Sequence, residues 1–350
     1  MHAQLAAALS AVFDDGLPIE VSGLDALPGG FSRETFMFDA TTIDGDTSKT
    51  RPMILRKDPP PSVAILETSR LVEHNLLEGL RAHTNLPVSR SYCVEMDPAV
   101  FGEQAMIIER MPGSGQTSDL FNGGPDADQV DDVMRSLCEI LVELHETSID
   151  TIDPDGALND PRQVGIDPTS WDAYMDSTFQ YYIDAYPDIE YDPLLLVILD
   201  AFLWLRRNKP RPMPLAIVHG DFNPANFLYA DGRVTALIDW ENTRVGDPRE
   251  DLGWMVLMDV LSNTQVMAHP ADEGGFLAYY NKLRGLDITP EELGYFTLFG
   301  TANIAVPVNR ALARRTRKEQ TEFLHLYMLQ SSAPALMSFL SLLGYPGVPA

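Results

Sequence analysis

The sequence predicts an α+β protein in two parts, a small β-rich N-terminal lobe over residues 1–112 and a larger, mainly α-helical C-terminal lobe over 113–350. Three observations predict this. Up to about residue 110 the chain reads mostly as short strands, with one long helical stripe after the opening segment. Beyond residue 113 the apolar residues recur every three or four positions. Between 215 and 240 the alternation returns briefly, around a stretch unusually dense in polar side chains.

In chain order, "MHAQLAAALSAVF" reads as an amphipathic opening helix, because no Lys or Arg precedes its apolar run and Asp14-Asp15 follow it. "GGFSRETFMFDAT" is a glycine pair followed by a strand, "TIDGDTSKT" a polar turn, and "RPMILRK" a second strand stopped by Pro59 to Pro61. "SVAILETSRLVEHNLLEGLRAH" places Leu66, Leu76, Leu77 and Leu80 on one helical stripe. "EQAMIIERMPG" is a buried strand ending at a Pro-Gly break, which puts a hinge near 109–113.

The next helix, "DQVDDVMRSLCEILVELHET", lines up Val130, Val133, Leu137, Leu141 and Leu144, with Asp126 or Asp128 as its cap. A polar connection over 150–170 leads to helices at 171–185 and 193–207. Strands "LAIV", "FLY" and "VTALI" follow, the last two joined by a turn at Ala230-Asp231-Gly232-Arg233. From 249 onward the pattern is helical.

Composition narrows the function. The chain has 350 residues, with 51 acids against 25 bases for a net charge of −26. Phosphate-backbone binding needs clustered Lys and Arg, so a nucleic-acid partner is not expected. The acids read either as a solvated surface or as an attraction for cationic substrates. Cys93 and Cys138 are far apart and lack metal-ligand spacing, which points to a reducing, cytoplasmic setting. "APALMSFLSLLG" is too short to span a bilayer, so no membrane partner is expected.

The chemistry concentrates in "IVHGDFNPANFLY", residues 217–229. Asp221 and Asn226 lie in one Pro-containing loop, and Asp239 follows the hairpin that can fold back beside them. Taken singly, Asp and Asn in loops usually cap turns. Taken together, two carboxylates and an amide oxygen suit Mg²⁺, which keeps waters and shares its shell with phosphates. Phosphoryl transfer needs such a metal and a separate carboxylate to orient the attacking hydroxyl.

"HGDFNPANFL" followed by "LIDWENTRVGDPREDLGW" resembles the catalytic core of the aminoglycoside phosphotransferase family, and is similar to the protein-kinase pattern of His-Arg-Asp, Asn and Asp-Phe-Gly. The resemblance implies a protein-kinase-like fold and a small-molecule kinase that moves the γ-phosphoryl group of ATP, or of GTP, onto a substrate hydroxyl. It implies Asp221 as the base, Asn226 and Asp239 as Mg²⁺ ligands, His219 as a buttress of the catalytic loop and Asp251 as the acid anchoring that loop. His145, in "LVELH", is read as a packed or loop-supporting residue.

On the nucleotide side, "LPGGFSRETF" falls where the family covers the phosphates, with Gly29, Gly30 and Ser32 as contacts; by itself the glycine pair is only a turn. The family's strand cation is a Lys. Here "MILRKDPP" offers Arg56 in that register, and Lys57 if the register slips by one. Glu73 is the matching helix carboxylate, with Glu67 the competitor. Backbone groups from Glu109 to Met111 fall at the adenine hinge.

The acceptor is open. "NRALARRTRKEQ" sets Arg310, Arg314 and Arg317 on one helix face, beside Arg315 and Lys318. That face reads as a solvated surface or as a seat for an anionic acceptor. "LRKDPPPS" and the overall layout resemble the kinase-like domain of an acyl-CoA dehydrogenase fusion protein, whose acceptors are hydroxylated small molecules or acyl thioesters. Two rivals stand. One is a silent nucleotide-binding module, suggested by Arg56 in place of Lys. The other is a protein kinase, which the absence of an activation segment between Asp239 and Asp251 opposes.

Overall fold

The computed structural model describes residues 1–13, 16–27, 33–59, 69–158, 166–185 and 193–316. The chain folds into a β-rich N-terminal lobe and a mainly helical C-terminal lobe. The N-terminal lobe is a five-stranded antiparallel sheet with strand order β1-β2-β3-β5-β4, built from β1 (Ile19–Ala26), β2 (Glu34–Asp44), β3 (Thr47–Lys57), β4 (Ser91–Glu95) and β5 (Ala105–Glu109).

Alternation along these strands makes two faces. Helix α1 (His2–Ser10) covers one, where Leu5 and Leu9 pack on Phe38, Ala40, Met53, Leu55 and Ile107. Helix α2 (Arg70–His83) covers the other through Leu76, Leu77 and Leu80, around Val88 and Met106. Ser69 caps α2, its hydroxyl accepting from the Val72 amide at 3.4 Å. The expected stripe residue Leu66 lies outside the described residues.

After the short helices α3 (Pro98–Phe101) and α4 (Thr117–Leu120), α5 (Val130–Glu146) runs through the C-terminal lobe. Its five expected apolar residues are all buried. The expected aspartate cap is not made. A 3-10 turn over Ala127–Gln129 precedes α5, Gln129 is the N-cap without a side-chain bond, and Asp126 instead accepts from the Tyr229 hydroxyl at 2.9 Å. Tertiary pairing with a distant tyrosine outcompetes the local cap.

Helices α6 (Ile149–Ile152), α7 (Trp171–Ala185) and α8 (Pro193–Arg207) follow. Two small antiparallel pairs then carry the site: β6 (Ala216–Val218) with β9 (Arg244–Gly246), and β7 (Phe227–Ala230) with β8 (Arg233–Leu237). Asp231 and Gly232, both at positive φ, make the β7–β8 turn. Helices α9 (Arg249–Ser262), α10 (Phe276–Arg284) and α11 (Pro290–Thr316) close the lobe. Among the described residues no helix is long and apolar enough to cross a membrane.

α5 passes beneath the strand pairs and joins Ile217, Phe222, Phe227 and Leu237 in one core. Leu141→Ala is therefore expected to lower stability by about 2–5 kcal/mol, read as a drop in the urea midpoint at constant slope. A loss under ~1 kcal/mol would show that α5 does not bear this packing.

Candidate active site

The site grows from the loop between β6 and β7. Fully buried β6 delivers the chain to His219, and Gly220 turns it at φ +78. A Cβ on Gly220 would sit 2.2 Å from the Asn242 carbonyl oxygen, so only glycine fits. Asp251, from the first turn of α9, accepts the His219 amide at 2.7 Å and the Gly220 amide at 2.8 Å. His145 joins it at 3.1 Å through Nε2, while its Nδ1 meets the Tyr280 hydroxyl at 2.8 Å. Burial pushes the Asp251 carboxyl up, but the His145 hydrogen bond and the other donors outweigh it and hold it below the usual range.

His219 is fully buried behind the loop. Its Nε2 lies 3.0 Å from the Ile238 carbonyl and its Nδ1 accepts the Asp221 amide at 3.3 Å, an arrangement that suits the neutral Nε2–H tautomer. Burial lowers its pKa to the same effect. His219 thus ties the loop to the strand end that carries Asp239.

Asp221 and Asn226 meet directly. The Asn226 amide nitrogen donates to Asp221 Oδ2 at 2.8 Å and to the Asp221 carbonyl at 2.9 Å. Asn223 donates to Asp221 Oδ1 at 2.9 Å, and Trp254 Nε1 donates to the same oxygen at 2.7 Å. Burial, followed by the charge of Asp239, pushes the Asp221 carboxyl up to about 7 against these donors.

Asp239 sits in the left-handed region at φ 67, a conformation a non-glycine residue adopts at some cost. It is held there because the Ile238 amide donates to the Asn226 carbonyl at 2.9 Å. Its carboxylate pairs with Arg56, which also donates to Glu73 Oε1 at 3.0 Å. Arg56 and Glu73 thus meet as the sequence led one to expect, and strand alternation turns Lys57 the other way, to Glu34 Oε2 at 2.7 Å. Glu67 lies outside the described residues.

The pairing extends to residues the sequence reading did not single out. Arg33 lies 2.7 Å from Glu241 and 3.3 Å from both Glu73 and Asp58. Arg70 lies 2.6 Å from Glu73 and 3.1 Å from Asp58. Burial pushes the Glu241 carboxyl up, with Asp239 adding to the effect, and takes Asp58 up to about 6 against Arg33. Arg56, and then Arg33, still hold Asp239 below its ordinary value against burial. Arg33 is two residues before Thr35, which faces Arg56 across the β2–β3 ladder, a signal visible only once the register is known.

At the hinge, the Glu109 amide donates to Arg90 and the Arg110 amide to Pro52, at 2.8 and 3.1 Å. The Met111 amide has no partner among the described residues. The Glu109 side chain turns outward to Arg81, 3.7 Å away. Gly29, Gly30 and Ser32 lie outside the described residues, as do Arg317 and Lys318.

The donor set fits a hard divalent cation. Asn226 spends its amide nitrogen on Asp221, so its side-chain oxygen is the atom that would ligate a cation, and Asp239 is near enough for its charge to act on Asp221. Among the described residues no cluster of three or more His, Cys, Asp or Glu could hold a metal ion, so this site would complete its shell with water and phosphate oxygens.

The chain is 27% identical over 256 residues to "Probable acyl-CoA dehydrogenase IBR3" of Arabidopsis thaliana, covering 70% of this chain and 29% of that protein. It is 25% identical over 272 residues to human acyl-CoA dehydrogenase family member 11, covering 71% and 32%. The chain therefore spans about a third of the length of these curated relatives. Macrolide 2'-phosphotransferase MphH from Brachybacterium faecium shares the fold at TM-score 0.58 and 20% identity, over 94% of this chain and 97% of that one. A thermostable variant of aminoglycoside phosphotransferase APH(4)-Ia, solved as a ternary complex with AMP-PNP and hygromycin B, does so at TM-score 0.58 and 16% identity, over 99% of each chain. The sequence model of the phosphotransferase enzyme family matches residues 24–286, a span that holds every site residue described above, and the chain belongs to that family.

Proposed function

We propose that this protein is a kinase that transfers the γ-phosphoryl group of ATP to the hydroxyl of a small molecule. The observation that carries the reading is the meeting of Asp221 with Asn226 beside Asp239, which the Arg56–Glu73 pair of the N-terminal lobe joins. The fold shared with a protein solved with AMP-PNP and a small-molecule substrate supports it.

In this reading Asp221 orients the acceptor hydroxyl and takes its proton as the new oxygen–phosphorus bond forms and the bond to the departing ADP oxygen breaks. Arg56, steadied by Glu73, would hold the phosphates. The carbonyl of Glu109 and the amide of Met111 would read the adenine edge. Asn226 and Asp239 would hold Mg²⁺, which when bound neutralises charge on the phosphate oxygens. His219 and Asp251 keep the loop in shape and touch no substrate. The acceptor class follows the resemblance to the acyl-CoA dehydrogenase relatives: a hydroxylated small molecule or hydroxyacyl compound.

The test is a coupled ADP-release assay with Mg-ATP against aminoglycosides, macrolides, amino alcohols, sugars and hydroxyacyl compounds. Asp221→Ala is expected to lose roughly 10²–10⁴-fold in turnover while AMP-PNP binding by calorimetry stays within about twofold. Equal turnover in the variant and the wild type, or nucleotide binding with no turnover across the panel, would favour the silent module. Arg56→Lys is expected to raise the KM for Mg-ATP roughly 10-fold or more, because lysine keeps the charge but loses the forked grip. An unchanged KM would remove Arg56 from the phosphate site.

A further inference from the structure

The Asp221 carboxylate has about four lone-pair sites. Two on Oδ1 are taken by Trp254 and Asn223, at 2.7 and 2.9 Å, and one on Oδ2 by Asn226 at 2.8 Å. One site is left, on Oδ2. Trp254 stands three residues after Asp251 on α9, so one face of one helix grips the loop backbone through Asp251 and the Asp221 side chain through the indole.

The indole is itself positioned from behind. A Cβ on Gly300 of α11 would lie 3.1 Å from Trp254 Cε3, and one on Gly253 would lie 2.5 Å from the Phe296 backbone carbon. α9 and α11 therefore approach through two glycines, and α11 lies against the indole at Gly300.

We infer that Trp254 is a positioning residue for the phosphoryl-transfer site: its indole N–H fixes the plane of the Asp221 carboxylate so that Oδ2 is the atom offered to the acceptor hydroxyl, and α11 sets the indole. The inference rests on the role given to Asp221 above.

Two arms test it. In protein labelled with ¹⁵N at the four tryptophan indoles, the Trp254 signal is the one lost in Trp254→Phe. It is expected to shift in Asp221→Asn while the other indole signals shift less. Kinetically, Trp254→Phe is expected to lower turnover of Mg-ATP with the panel acceptor roughly 10- to 100-fold, with the KM for Mg-ATP within about twofold. On the Asp221→Ala background it should cost nothing further, since the carboxylate it orients is gone. Gly300→Ala, which crowds the ring without removing the N–H, should lower turnover in the same direction.

A Trp254→Phe enzyme as fast as wild type, losses that multiply on the Asp221→Ala background, or an indole signal indifferent to Asp221→Asn would each overturn the inference. A wild-type enzyme inert with every acceptor would overturn both this inference and the transfer reading. A fast Trp254→Phe beside a dead Asp221→Ala would overturn this inference alone.

Discussion

A single buried carboxylate, that of Asp251, holds the geometry on which the rest depends. A tight loop between short strands leaves backbone amides unpaired, and unpaired buried amides are costly. Asp251 accepts two of them, from His219 and Gly220, and reaches α5 through His145. One side chain thus joins α9, α5 and the loop. Burial by itself pushes its pKa up, and the converging donors hold it below the usual range. The loop is thereby ordered in advance around Asp221 and Asn226.

The second constraint is electrostatic. Arg33, Arg56 and Arg70 stand among Asp58, Glu73, Asp239 and Glu241, all largely withdrawn from water. Such clusters are poor sources of stability, because desolvation offsets much of the attraction. Their effect is to fix directions. Arg56 bridges Glu73 on α2 and Asp239 beyond β8, so the sheet and the catalytic loop share one charge pattern across the cleft. On the other side, burial and then the like charge of Asp239 push Asp221 up. In the proposed reading, a divalent cation with bound phosphates would answer the acids and the arginines together.

Much of the fold was legible because its signals are local. Alternation marked β2, β3 and β5, the 3.6-residue stripe marked α5, and the Asp-Gly turn marked the β7–β8 hairpin. The α5 cap was misread because Asp126 and Tyr229 are 103 residues apart, and no local pattern reports that bond. In the site, the polar residues of 217–254 stood out because loop aspartates and asparagines between apolar strands need a reason. Arg33, Glu241 and Trp254 did not. An arginine on a strand, a glutamate in a loop and a tryptophan on an amphipathic helix are each ordinary by themselves.

Taken alone, the sequence determined the chemistry available in the 217–254 stretch, since the spacing of His219, Asp221, Asn226 and Asp239 is a property of the chain. It left open which of Arg56 and Lys57 faces the cleft, and offered nothing to link Trp254 to Asp221. Only the tertiary structure decided these. Strand register sends adjacent side chains to opposite faces. The meeting of α9 and α11 at Gly253 and Gly300 depends on packing between helices that are distant in sequence.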